Sequence, residues 1–227
     1  MTEKTEAISG SFAGGLSETS SYAEYYQYDL FNRMTYSNAN GVIATYKYRP
    51  DGLRYSKTAN SVATVHIWDG ANIVGDVKNG VVSATYVRGI GLIASKSGST
   101  FKYYLFNGHG DVVQCGNVTY DYDAFGNEVE PDENDTNPWR YCGVFGYYWD
   151  NETGTYYIRA RFYNPQTGRF ATEDPAGDGL NWYTYCYNNP IRYIDPFGLW
   201  GSDVHYDDTY DWIVDILKWG FGRKYGP

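Results

Sequence analysis

From Tyr22 to about Val129 the chain alternates apolar and polar residues in short runs, each broken by a turn-forming cluster. VIATYKYRPDGLRYSKT alternates on both sides of Pro50-Asp51-Gly52, a strong hairpin signal. Further turns are predicted at Leu30–Asn32, Asp69-Gly70, Asn79-Gly80, Asn107–Gly110 and Phe125–Asn127. Period-two alternation with turns at this density predicts a mainly β protein, a meander of short antiparallel strands. One helical pattern stands apart. Tyr210, Ile213, Val214 and Leu217 recur at helical spacing, with Asp207 or Asp208 as cap and Gly220 as stop, so a short helix is predicted over 208–219.

Composition sharpens this picture. The 227 residues include 26 Tyr and 26 Gly, with only 20% charged, which argues against disorder. Tyr suits a half-buried pleated surface, its ring packed and its hydroxyl at a wet edge. Net charge is −9 and no Lys/Arg run exists, so no nucleic-acid footprint is expected. No signal peptide and no run of membrane-span length is present. Cys115, Cys142 and Cys186 lack close metal-type spacing and read as reduced packing residues. The histidines at 66, 109 and 205 are scattered, so neither a metal site nor a cofactor is expected.

A degenerate repeat runs through the meander: Tyr28-Asp29-Leu30-Phe31-Asn32-Arg33, Tyr48-Arg49-Pro50-Asp51-Gly52-Leu53-Arg54 and Tyr122-Asp123-Ala124-Phe125-Gly126-Asn127. In each unit the Tyr anchors a strand, the Asp can bond the turn backbone, and Gly or Asn supplies positive φ. This unit resembles the Tyr-Asp (YD, or RHS) repeat. The stretch 139–199, with YYIRARFYNP, TGRFATEDPAG, LNWYTYCYNNP and IDPFGL in order, resembles the RHS repeat-associated core domain.

The resemblance implies repeat hairpins wound into a curved, hollow β-shell that the core closes as a plug. It divides the chain into a flexible lead-in (1–21), YD-repeat hairpins (22–129), an acidic linker (130–138), the core (139–199) and a short tail (200–227). In polymorphic toxins of this kind a variable C-terminal segment follows the Asp-Pro-x-Gly-Leu motif, is cut free after the Leu, and is held inside the shell. Carried onto this chain, the scissile bond is Leu199–Trp200. The aspartyl pair is Asp174 and Asp195, and Arg161 supports it. Two neighbouring carboxylates cannot both ionise, so one can activate water while the other donates a proton.

The plainer readings stay open. Asp-Pro is a common turn opener. Arg159 and Arg161 can be neighbouring strand residues, one solvated and one paired with a carboxylate. About six repeat units or fewer precede the core, too few to enclose anything, and the tail is short for a globular toxin. The expected protein is therefore the C-terminal part of a larger RHS shell, secreted or at the cell surface. Its partners are the rest of that shell, or its own C-terminal segment as cargo. The alternatives are a non-catalytic shell or cell-surface interaction module, and a degenerate toxin fragment. The tail is read as a helix docked on the core, with a released peptide or a toxin remnant as alternatives.

Overall fold

The turns organise this molecule, and four of them are built alike. Asp29, Arg49, Asn107 and Asp123 each donate their backbone N–H to the carbonyl four residues on, at 2.8–3.0 Å. The fourth residue of each turn, Asn32, Gly52, Gly110 or Gly126, has positive φ and donates back to the first, at 3.0–3.1 Å. In three of the four the first residue's side chain locks the loop. Asp29 Oδ1 accepts the N–H groups of Phe31 and Arg33, Asn107 Oδ1 those of His109 and Asp111, and Asp123 Oδ1 those of Phe125 and Asn127. The preceding aromatics, Tyr28, Tyr48, Phe106 and Tyr122, pack against the main hydrophobic cluster. The turn chemistry expected of the repeat is thus the chemistry observed.

The structure, a computed structural model, describes residues 24–203 apart from 40, 133 and 178. The lead-in 1–21 and the helix expected over 208–219 lie outside the described residues. Eleven strands form one antiparallel sheet in chain order: β1 (Tyr25–Tyr28), β2 (Met34–Ala39), β3 (Val42–Tyr48), β4 (Arg54–Ala59), β5 (Val62–Asp69), β6 (Asn72–Lys78), β7 (Val81–Arg88), β8 (Leu92–Ser97), β9 (Thr100–Phe106), β10 (Val112–Cys115) and β11 (Val118–Thr119). At the opposite end from the five-residue turns, two-residue turns such as Asn60-Ser61 and Asn79-Gly80 put both residues at positive φ, the hairpin geometry that matches strand twist. Alternation puts Tyr46, Ile73, Tyr86 and Tyr104 on the packed face, and Ile43, Ile67 and Tyr103 on the exposed one.

The packed face is covered by the chain that follows. Trp139, Tyr148, Tyr157 and Phe162 enter the same cluster as the sheet residues. Tyr148, Tyr157 and Phe162 come from a second antiparallel sheet, β12 (Tyr148–Asp150), β13 (Thr155–Ile158), β14 (Arg161–Asn164) and β15 (Arg169–Phe170), and Trp139 bridges to Tyr148 at its edge. A second cluster lies behind it, built on Tyr141, Tyr147, Tyr156, Tyr163, Phe170 and Tyr185. Many of these tyrosines are fully buried, so their hydroxyls do not reach a wet edge. Tyr141, Tyr156 and Tyr163 donate instead to the carbonyls of Ala124, Gly126 and Phe125, clamping the last repeat turn onto the core at 2.7–3.2 Å. A Cβ on Gly126 would stand 2.5 Å from the Tyr141 ring.

Charge also crosses between the layers. Arg54 of β4 is wholly buried, paired with Asp150 of β12, and its guanidinium lies 4.2 Å from the Tyr157 ring centroid. Its Nε donates to His66, which bonds Asp76 at 2.7 Å. Asp76 in turn accepts the hydroxyls of Tyr86 and Tyr148. The acidic stretch before the core is less solvated than its composition implies: Asp135 pairs with Arg140 and accepts the Tyr120 hydroxyl, and Asn137 accepts that of Tyr104. Among the described residues no helix is long and apolar enough to cross a membrane.

Candidate processing site

Asp195 follows β16 (Tyr193–Ile194), and the chain then turns through Pro196, Phe197 and Gly198. The Asp-Pro pair holds the backbone extended before the turn. The turn closes locally, with Gly198 N donating to the Asp195 carbonyl and Leu199 N to Asp195 Oδ1 at 2.9 Å. Gly198 sits at φ +69, and a Cβ there would collide with the Ile158 carbonyl and stand 3.1 Å from Arg161 N. Tyr147 fixes Asp195 from below, its hydroxyl donating to the Asp195 carbonyl at 3.0 Å and accepting the Asp195 N–H at 2.9 Å. After Leu199 and Trp200 the chain returns as β17 (Ser202–Asp203), pairing antiparallel with β16. Arg192 closes this hairpin with an ion pair to Asp203 at 2.9 Å.

Arg161 opens β14 and points at this turn. Its Nε donates to the Gly198 carbonyl, its Nη1 to the Trp182 carbonyl at 3.0 Å, and its Nη2 to Asp195 Oδ2 at 3.2 Å. The same Nη2 lies 3.6 Å from Asp174 Oδ2, so one nitrogen bridges the two aspartates. Its guanidinium stacks 3.5 Å from the Phe170 ring centroid, which fixes its plane. Asp174 opens a turn of its own, accepting Ala176 N at 2.8 Å. Both Asp-Pro aspartates are therefore turn openers, and both also face one arginine.

Burial pushes the Asp195 carboxyl up to about 6, against the pull of Arg161 and of the N–H groups of Leu199, Trp200 and Gly198. A carboxyl with this value carries a proton in mildly acidic water and loses it near neutrality. A pocket of about 210 Å³ opens over the site, lined by Arg161, Asp174, Asp195, Leu199 and Trp200 together with Cys186. All five residues singled out in the sequence thus meet at one place. The set offers a protonatable buried carboxyl beside an amide nitrogen, a second carboxylate at the pocket wall, and room for water.

No protein-family model matches the chain. It is 35% identical over 192 residues to WapA, a tRNA(Glu)-specific nuclease of Bacillus subtilis subsp. natto, a match spanning 76% of this chain and 8% of the relative. It is 46% identical over 68 residues to the toxin subunit YenC2 of Yersinia entomophaga, spanning 29% of this chain and 7% of that protein. In structure it superposes on the TcdB2-TccC3-TEV crystal structure with TM-score 0.62 at 21% identity, over 78% of this chain and 10% of that one. The chain resembles the RHS shell and core of polymorphic toxins and toxin-complex subunits. It spans about a tenth or less of the length of these proteins.

Two features of the structure differ from what the sequence suggested. Arg159 is neither solvated nor on a strand. It sits at φ 47 in the turn between β13 and β14 and is buried with Arg161. It donates to the carbonyls of Phe145, Pro196 and, from the turn between β5 and β6, Ala71. Burial without a carboxylate partner pulls its pKa down to about 10. Arg159 is thus the residue that ties the Asp195 turn to the shell. The second concerns the scattered histidines and cysteines. All three cysteines are free and buried, but Cys142 converges in space with His109 and Asp111 of one turn, Asp111 lying 31 residues before it.

Proposed function

We propose that this segment closes the end of an RHS shell and cuts its own chain between Leu199 and Trp200. The observation that carries the reading is the Asp195 carboxyl, buried against the N–H groups of Leu199 and Trp200 and bridged by Arg161 to Asp174. In this scheme Asp174, at the pocket wall, takes a proton from water as the oxygen adds to the Leu199 carbonyl carbon. Asp195 gives its proton to the Trp200 nitrogen as the C–N bond breaks. The products are a Leu199 carboxylic acid and a Trp200 amine, and the pair has passed one proton across. The substrate is part of the same chain, so high effective concentration replaces binding. Arg161 holds the two carboxyls in register.

Partners and location follow the same reading. The sheet begins at β1, whose one neighbour among the described residues is β2, so an upstream hairpin of a larger shell can pair on its open side. The chain after Trp200 is the cargo side of the cut, and the protein acts outside the producing cell. The chain is similar to part of a nuclease and to part of a toxin subunit, which fits a shared closing role beside differing effectors.

Intact-mass measurement of the expressed full chain tests this. Wild type yields two fragments divided after Leu199, whereas Asp195→Asn and Asp174→Asn stay whole. A wild-type chain that remains whole, like the variants, would leave the competing reading, a non-catalytic closure in which both aspartates only open turns.

A further inference from the structure

The convergence of His109, Asp111 and Cys142 has no part in the cleavage scheme. His109 and Asp111 lie in the five-residue turn between β9 and β10. Cys142 belongs to the core segment, 31 residues after Asp111. Their donor atoms all fall within 4.8 Å of one another. Asp111 Oδ1 is 3.0 Å from His109 Nδ1, and Cys142 Sγ is 3.7 Å from the same nitrogen. A tetrahedral zinc ion with ligands at about 2.0–2.3 Å sets its nitrogen and oxygen roughly 3.3 Å apart, and its nitrogen and sulfur roughly 3.6 Å apart. The observed separations lie close to both.

The donors are held in place by the fold. Asn107 fixes the turn, its Oδ1 accepting the N–H groups of His109 and Asp111 at 3.0 Å and its Nδ2 donating to Asp111 Oδ2 at 2.8 Å. From the other side, Cys142 N donates to Asp111 Oδ1 at 2.9 Å and Val144 N to the Gly110 carbonyl at 3.2 Å. Gly110 lets the two segments approach, since a Cβ there would stand 2.5 Å from the Phe145 ring. Cys142 is itself at φ 50, a conformation that costs a non-glycine residue about 1–2 kcal/mol. The cysteine is fully buried and Asp111 nearly so, while His109 keeps one side open to solvent.

We infer that His109, Asp111 and Cys142 form a binding site for a zinc-type divalent transition metal, which staples the last shell hairpins to the core. The donor set is imidazole, carboxylate and thiolate, which favours zinc or cobalt over magnesium or calcium. Charge supports it as well. A dication with one thiolate, one carboxylate and a neutral imidazole sums to zero, so the buried site holds no uncompensated charge. Binding displaces the thiol proton, and also the proton on His109 Nδ1 when the ring is protonated, so up to two protons leave per metal.

The full chain, stripped with a chelator and exchanged into metal-free buffer, is titrated with zinc chloride by calorimetry and with cobalt chloride by absorption. Wild type takes up one equivalent of zinc, and its cobalt form shows a thiolate-to-cobalt charge-transfer band. Cys142→Ser loses the band, Cys186→Ser keeps it, and His109→Ala weakens zinc binding at least about tenfold. Near-UV circular dichroism checks that Cys142→Ser is folded. Should that variant unfold, wild type and His109→Ala decide alone. Absence of saturable binding or of the band in wild type overturns the inference, as does an affinity unchanged by His109→Ala.

Discussion

Asp195 shows how one side chain can be both a structural turn residue and a poised acid. Its Oδ1 caps the turn through Leu199 N, while burial raises its pKa from 3.8 to about 6. The raised value fixes the sign of a pH effect. Below about 6 the carboxyl is protonated and can supply the departing Trp200 amine; above it that proton is lost. Self-cleavage should therefore speed up as pH falls through about 6, as a single-turnover time course by gel or mass would show. That Asp174, Asp195 and Arg161 meet in space was legible because they lie in the long ordered motifs that carry the resemblance. Arg159 was not. Strand alternation would put residues 159 and 161 on one face, whereas Arg159 stands off the strand in a left-handed turn, and no local pattern shows that both guanidiniums are buried.

At the scale of the element, the five-residue turn is the repeating device. Asp123 carries three of its bonds, accepting from Phe125 N, Asn127 N and Asn127 Nδ2 at 2.8–3.0 Å. Asp123→Ala should cost about 1–3 kcal/mol, read as a lower urea midpoint with unchanged slope. The same turn presents three carbonyls to Tyr141, Tyr156 and Tyr163, so the variant should also raise amide exchange in the core around them. Turns carrying Asp-Gly or Asn-Gly announce themselves in sequence. Asn60-Ser61 does not, because a serine at positive φ is tolerated here only by the hairpin that closes around it.

Across the whole molecule, the two sheets are joined by polar groups as firmly as by apolar ones. Arg54 stands in the polar run RYSKTA of β4. It is buried because Asp150 arrives from 96 residues downstream, a partner no local pattern reveals. Arg54→Ala leaves Asp150 buried with only Lys57 to answer it, and should cost about 3–5 kcal/mol in denaturant unfolding of the full chain. The fold class was readable because strand alternation and turn chemistry are local, whereas the joining network is not. The small hairpin around Leu199–Trp200 has a consequence at this scale too. Its two arms stay laced by the pairing of Tyr193 with Asp203 and Ile194 with Ser202, and by Arg192 with Asp203. A cut in the loop between them leaves that lacing whole. Under the proposed cleavage, severing the chain and letting it go would be separate events, and the segment beyond the cut would be chemically free while still moored to its container.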